Sequence, residues 1–404
     1  MDIILARTIG LLVVAILVAI IARRLSLPYT VGLVAAGVGL ALARVETGLT
    51  LTHDFIFDII LPPLLFEAAL SIHWKELRRD MMPIFTLSIF GVVISAFIVA
   101  VGMVYLLNWP KAPALVFGVL IAATDPVAVI AMFKDTGIRG RLRLLVESES
   151  LFNDGVAAVL FVLVLTWTGS QSNVMVGGLS LARDLVFTSG GGILVGLAIA
   201  GIAVLIAGRT SDHLAETALT TAVAYGSFLV AEHFRFSGVL ATVAAGLLMG
   251  NFAVLDGSKW HILSEQERDF VVAFWEFAAF IANSFVFLLI GVTLAGVPFA
   301  GLGVATLLTA IGLVLAGRLL TVYPLCLLFR RSTWAIPLRQ QHVLWWGGLR
   351  GALALALALA LPASLAFHNQ ILIATFGVVA FSVVFQGLTM PLLLRKLGLL
   401  HSKE

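Results

Sequence analysis

Apolar stretches of roughly the length needed to cross a bilayer recur along the whole of this 404-residue chain, and they leave almost no polar sequence between them. A helix must run for about 20 residues to span the hydrocarbon core. Thirteen such runs can be read at 3–22, 28–45, 54–72, 82–107, 112–133, 144–168, 180–207, 214–233, 238–250, 270–295, 300–329, 339–361 and 371–394. Only 12% of the residues are charged, where a water-soluble domain carries about 25%. The longest charge-bearing connection, 251–269, is too short for a soluble domain. The reading is therefore an all-α polytopic membrane protein with about 13 transmembrane helices, in which residues 1–404 form a single membrane domain. The pI of 9.2 could suggest nucleic acid, but topology accounts better for the basic residues.

Lysine and arginine are distributed unevenly over the connections. Eighteen of the 25 follow odd-numbered runs, five lie on the other side, and Arg318 and Arg350 fall within runs. By the positive-inside rule this bias puts the N-terminus outside and the C-terminus in the cytoplasm. Arg23 and Arg24 follow the first run rather than precede it, the reverse of a secretory signal, so that run is read as a retained helix. The lone cysteine, Cys326, excludes a disulfide framework, and no cofactor or metal cluster is expected.

Thirteen runs permit two six-helix repeats, about 3–168 and 214–394, joined by a linker helix at 180–207. An offset of seven inverts one repeat against the other. Inverted repeats with broken helices near the membrane midplane are a transporter pattern, and they direct attention to the equivalent runs 5 and 12. Run 5 holds Thr124-Asp125-Pro126, where proline withdraws a backbone donor and disfavours helix at the residue before it. Run 12 holds Gly347-Gly348-Leu349-Arg350-Gly351, where glycine frees the backbone, although the glycines could equally serve close helix packing.

Run 6 begins ESESLFNDGVAAVLF, from Glu147 to Phe161. At about 100° per residue, with Glu149 at zero, Asn153 falls near 40°, Ser150 near 100° and Asp154 near 140°, so opposite ends of one broad polar face can meet different partners. Counting about 1.5 Å per residue from the cytoplasmic ends puts Asp154, Asp125 and Arg350 roughly 13–16 Å deep, and Glu67 about 12 Å from Lys75. A charge at the bilayer centre costs about 2.5–3.5 kcal/mol on insertion scales, which makes each a functional candidate. Three carboxylates, a hydroxyl and freed carbonyls suit a small hard cation. Desolvation favours the protonated form of a carboxylate, so such a group could trade a proton for a cation. Glu276 and Arg318 are expected to pair with each other.

Together, TDP in run 5, ESxxND in run 6, LPPLLFEAAL in run 3 and GGLRGA in run 12 resemble the monovalent cation/proton antiporters of the NhaP and NHE type, from residue 3 to about 394. The resemblance implies the NhaA-like antiporter fold and exchange of Na⁺, with Li⁺ as a second substrate, for H⁺ by alternating access, rather than an enzymatic reaction. It implies that Asp154, Ser150, Glu67, the Thr124 carbonyl and Asp125 form the ion site. Asp154 would be shared by cation and proton, Asn153 would brace the opened helix, and Glu149 would pair with Arg350. It further implies a homodimer serving pH and sodium homeostasis. The regulatory tail of eukaryotic members has no counterpart after run 13, which suggests a prokaryotic inner-membrane protein. Asn153, standing where a second carboxylate would allow two protons per cation, points to electroneutral one-for-one exchange. Potassium/proton exchange is the alternative; a cation channel fits less well, and an intramembrane hydrolase using Asp125 and Asp154 least of all.

Overall fold

The computed structural model describes residues 2–24, 28–45, 48, 51–169, 178–207, 212–255 and 264–399. Arg209, Lys259 and Lys403, which enter the charge bias, lie outside the described residues. All regular structure among the described residues is helical. Apolar surroundings give backbone groups no water to bond, so the chain satisfies them within helices.

The first two runs form α1 (Asp2–Arg24) and α2 (Tyr29–Leu42). The third is α3 (Leu61–Leu70), preceded by a π-helical turn over Phe55–Ile60 where Pro62 and Pro63 supply no N–H to the ladder. A short helix, α4 (Trp74–Arg79), leads to the fourth run, where α5 (Met81–Phe85), a π turn (Thr86–Phe90) and α6 (Gly91–Leu107) follow continuously. The fifth run is split into α7 (Lys111–Leu120) and α8 (Val127–Thr136). Three uninterrupted helices follow: α9 (Arg141–Gly169), α10 (Gly178–Ile206) and α11 (His213–His233). Next comes α12 (Gly238–Met249), capped by the Ser237 hydroxyl and extended by a π turn over Gly250–Val254. The Ser264/Glu267 capping box opens α13 (Glu265–Gly296), and α14 (Val304–Leu328) is the eleventh run. The twelfth run is split into α15 (Leu338–Trp346) and α16 (Ala352–Leu359). The last comprises α17 (His368–Phe381), a π turn (Ser382–Gln386) and α18 (Gly387–Lys396).

Every one of the thirteen runs is therefore largely helical, but among the described residues seven helices are long and apolar enough to cross a membrane by length and composition. The other runs are shorter apolar helices or are divided by the proline and glycine breaks.

Packing sorts the helices into two groups. In one, α2 lies along α13, and α12 lies against α3, α10 and α11. In the other, α6 packs on α7 and α14, α9 on α7, and α16 on α17. The exchange of partners, second run on tenth and third run on ninth, is what inverted halves would produce. Where α2 crosses α13 the backbones nearly touch: a Cβ on Gly37 would lie 2.1 Å from the Leu288 carbonyl, and one on Gly291 2.1 Å from the Val34 carbonyl. Between the groups runs α9, which contacts α3, α10 and α12 on one side and α7 on the other. That position sets the polar face of α9 beside both breaks.

Candidate functional site

The two unwound stretches, 121–126 and 347–351, meet backbone to backbone: the Asp125 N–H donates to the Leu349 carbonyl at 2.8 Å. A break leaves N–H groups exposed at the start of one half-helix and carbonyls at the end of the other, with partial charges to match. One acid and one base answer both needs. Asp125 Oδ1 accepts from the Val127 N–H at 2.9 Å, in the first turn of α8. Arg350 Nη1 donates to the Ala122 and Ala123 carbonyls at 2.6 and 2.8 Å, beyond the end of α7. Gly351 permits the approach, since a Cβ there would lie 1.8 Å from Asp125 Oδ2. The Arg350 N–H is held in turn by Ser382 Oγ at 2.7 Å, from the π turn of the last run.

The polar face of α9 closes on this crossing. Asn153 Oδ1 accepts from the Thr124 N–H at 3.1 Å, while its Nδ2 donates to Thr124 Oγ1 at 2.6 Å and to Glu149 Oε1 at 3.3 Å. The Ser150 hydroxyl donates to the Thr124 carbonyl. One turn on from Ser150, Asp154 has an oxygen, Oδ1, that is shielded from solvent and has no hydrogen-bond partner among the described residues. Asp154 lies at the wall of a cavity of about 1300 Å³ that is also lined by Glu67, Thr124, Asp125, Lys134 and Glu276. Thr136 and Arg395, which follow odd-numbered runs, also line it.

Comparison with known proteins shows the family. The family model described as sodium/hydrogen exchanger, transmembrane, matches residues 11–396. The chain belongs to the sodium/hydrogen exchanger family. It is 39% identical over 383 residues to the Na⁺/H⁺ antiporter ApNhaP of Aphanothece halophytica, covering 93% of this chain and 71% of that one. It is 33% identical to the Na⁺/H⁺ antiporter NhaH of Halobacillus aidingensis, covering 96% of each chain. Among solved structures, the sodium proton antiporter MjNhaP1 of Methanocaldococcus jannaschii at pH 8 superposes with a TM-score of 0.76 at 23% identity, over 98% of this chain and 99% of that chain, a likeness of fold.

Two ion pairs in this exchanger differ from those read in its sequence. Glu149 does not pair with Arg350. It takes Arg318 of α14 in a two-pronged contact, Nη1 to Oε1 and Nη2 to Oε2, both at 2.8 Å, with Arg318 Nη2 also reaching the Leu344 carbonyl at 3.1 Å. The freed carbonyls beyond α7 draw the Arg350 guanidinium away, leaving Glu149 to the second arginine. Gly348 opens the path, since a Cβ there would lie 2.7 Å from Arg318 Nε. Consequently Glu276 does not pair with Arg318 either; its partner is Lys134, with Nζ 3.1 Å from Glu276 Oε1.

Of the sequence-derived site residues, Thr124, Ser150 and Asn153 are in direct contact. Asp154 and Glu67 share the cavity wall, but the charged neighbours of Glu67 are Lys134, Glu147, Glu276 and Arg143 rather than Asp154. Sequence reasoning missed the supporting serines. Ser88, in the π turn of the fourth run, donates to the Glu149 carbonyl at 2.9 Å, and Ser382 plays the corresponding part for Arg350. It also treated Lys134 as a loop charge, whereas Lys134 is part of α8 and lines the cavity.

Proposed function

We propose that the chain exchanges Na⁺, and Li⁺, for H⁺ by alternating access, with Asp154 as the group that holds cation and proton in turn. The observation that carries this reading is the Asp154 carboxylate itself: it lines a large cavity, and its shielded Oδ1 has no hydrogen-bond partner among the described residues, beside a crossing bound by Asp125 and Arg350. The surroundings supply the oxygen atoms a small hard cation prefers, namely the Ser150 hydroxyl, the Thr124 carbonyl and, elsewhere in the cavity lining, Glu67. Asp125 lines the same cavity, with one oxygen tied to the start of α8 by the Val127 N–H. Arrival of the cation displaces the proton from Asp154, and one charge replaces another. Asn153 cannot titrate and is bonded to Thr124 and Glu149, which supports an electroneutral one-for-one exchange.

The two helix groups are the bodies that would move against each other. The cavity meets the face rich in lysine and arginine, which supports a cytoplasm-facing state in the inner membrane with the N-terminus outside. Assembly as a homodimer, in the service of pH and sodium homeostasis, belongs to the same proposal. The test is transport by everted membrane vesicles containing the protein, with an acidified interior and a fluorescent pH reporter. Dequenching on addition of Na⁺ and Li⁺ is expected; dequenching on K⁺ alone overturns the sodium assignment, and no response to any of the three overturns antiport.

A further inference from the structure

Lys134 stands at a place the exchange reaction, as described, has no use for. It lies in the last turn of α8, the half-helix that begins at the crossing, and it lines the cavity beside α3 and α13. There it meets Glu276 of α13 at 3.1 Å and Glu67 of α3 at 3.7 Å. Both contacts are partly open to solvent: the Lys134 side chain is 42% exposed, Glu276 55% and Glu67 22%. The next charges are Glu147 and Arg143 of α9, which pair with each other at 3.4 Å, Glu147 also accepting from the Ser71 hydroxyl. Three carboxyl groups thus face two bases.

From this arrangement we infer that Lys134 sets the apparent affinity for the transported cation, acting as a tethered cation that the mobile one must displace from Glu67. The inference rests on the proposed antiport and on Glu67 as a ligand. An ammonium held near a carboxylate lowers the local attraction for any other monovalent cation, and the effect is large where the dielectric is below that of water. Glu276 moderates the competition, because at 3.1 Å it is the nearer partner and draws the ammonium off Glu67, which lies 3.7 Å away. Lys134 is a positioning residue: it touches the ligand's partner, not the ion site at Asp154. Because α8 carries Lys134 while α3 and α13 carry its partners, displacing it also releases a link from α8 to those two helices.

The experiment measures Na⁺-dependent exchange in proteoliposomes at fixed pH and ionic strength for wild type, Lys134→Gln, Lys134→Arg, Glu276→Gln and the double variant Lys134→Gln/Glu276→Gln. Lys134→Gln is expected to lower the apparent KM for Na⁺ severalfold with a smaller change in kcat, and Lys134→Arg to restore a KM close to wild type. Glu276→Gln should raise KM, since the ammonium then falls to Glu67 alone. If Glu276 acts through Lys134, the double variant resembles Lys134→Gln. An unchanged or raised KM in a Lys134→Gln protein that keeps the wild-type melting temperature overturns the inference, as does a double variant that resembles Glu276→Gln. Should Lys134→Gln fail to fold, the inference stands or falls on Glu276→Gln alone, an unchanged KM overturning it. Failure of the underlying reading looks different: wild type itself would show no exchange.

Discussion

Two acid–base clusters lie on either side of the crossing and obey opposite rules. Deep in the protein, Glu149 and Arg318 are 3% and 7% exposed, joined by two hydrogen bonds, and backed by Asn153, Ser88 and the Leu344 carbonyl. At the cavity, Lys134 divides itself between Glu67 and Glu276 over longer contacts that solvent reaches. A buried pair of the first kind cannot open without leaving a charge in a medium that solvates it poorly. A solvated pair of the second kind opens at little cost and can be replaced by a diffusing ion. Two acids five residues apart on the same helix thus differ: Glu149 is committed to Arg318, whereas Asp154 Oδ1 has no hydrogen-bond partner among the described residues.

Asp154→Asn is the sharpest way to break this contrast. Exchange should fall to the background of empty liposomes while the melting temperature in detergent stays at or above the wild-type value, because Asp154 Oδ1 has no hydrogen-bond partner among the described residues to lose. Exchange at the wild-type rate would remove Asp154 from the reaction. Next in size is the buried pair. Glu149→Gln or Arg318→Gln should each destabilise by about 3–5 kcal/mol, and the double variant by less than the sum, since neither charge is then left alone. Melting of the detergent-solubilised variants tests this, and strictly additive losses would contradict the pairing. Arg350→Gln, by contrast, should show no such coupling to Glu149→Gln.

The crossing itself comes third. Arg350→Gln exposes the Ala122 and Ala123 carbonyls to an apolar interior, at a cost of about 1–3 kcal/mol. Gly351→Ala forces apart Asp125 and the start of α16, and should impair exchange more than it lowers the melting temperature. Last, Glu276→Gln should change stability by no more than about 1 kcal/mol, as solvated pairs do, even though its transport KM is expected to move. A melting loss comparable to that of Glu149→Gln would erase the distinction between the two clusters.

Much of this was written into the chain. Uninterrupted apolar runs required helices, because a backbone in hydrocarbon has no other way to satisfy its polar groups. Pro126 and the glycines around Arg350 marked both breaks, since each acts on the local backbone regardless of its surroundings. The helical repeat put Glu149 and Asp154 on separated parts of one face. What lay beyond such reasoning was the choice among partners of like charge. Arg318 and Arg350 are both arginines within apolar runs, and one-dimensional depth does not rank them as partners for Glu149. The tertiary structure decided between them because Arg350 was claimed by carbonyls that only the crossing brings within reach, and because the missing side chain of Gly348 cleared the way for Arg318. Lys134 was misread for the same reason. Its sequence neighbours are those of a helix end, but its chemistry is set by Glu67 and Glu276, which come from α3 and α13 and face it only across the folded cavity. Helix formation and breakage depend on interactions within a few residues, which a sequence displays, whereas ion pairing depends on which side-chain tips converge in space, which it does not.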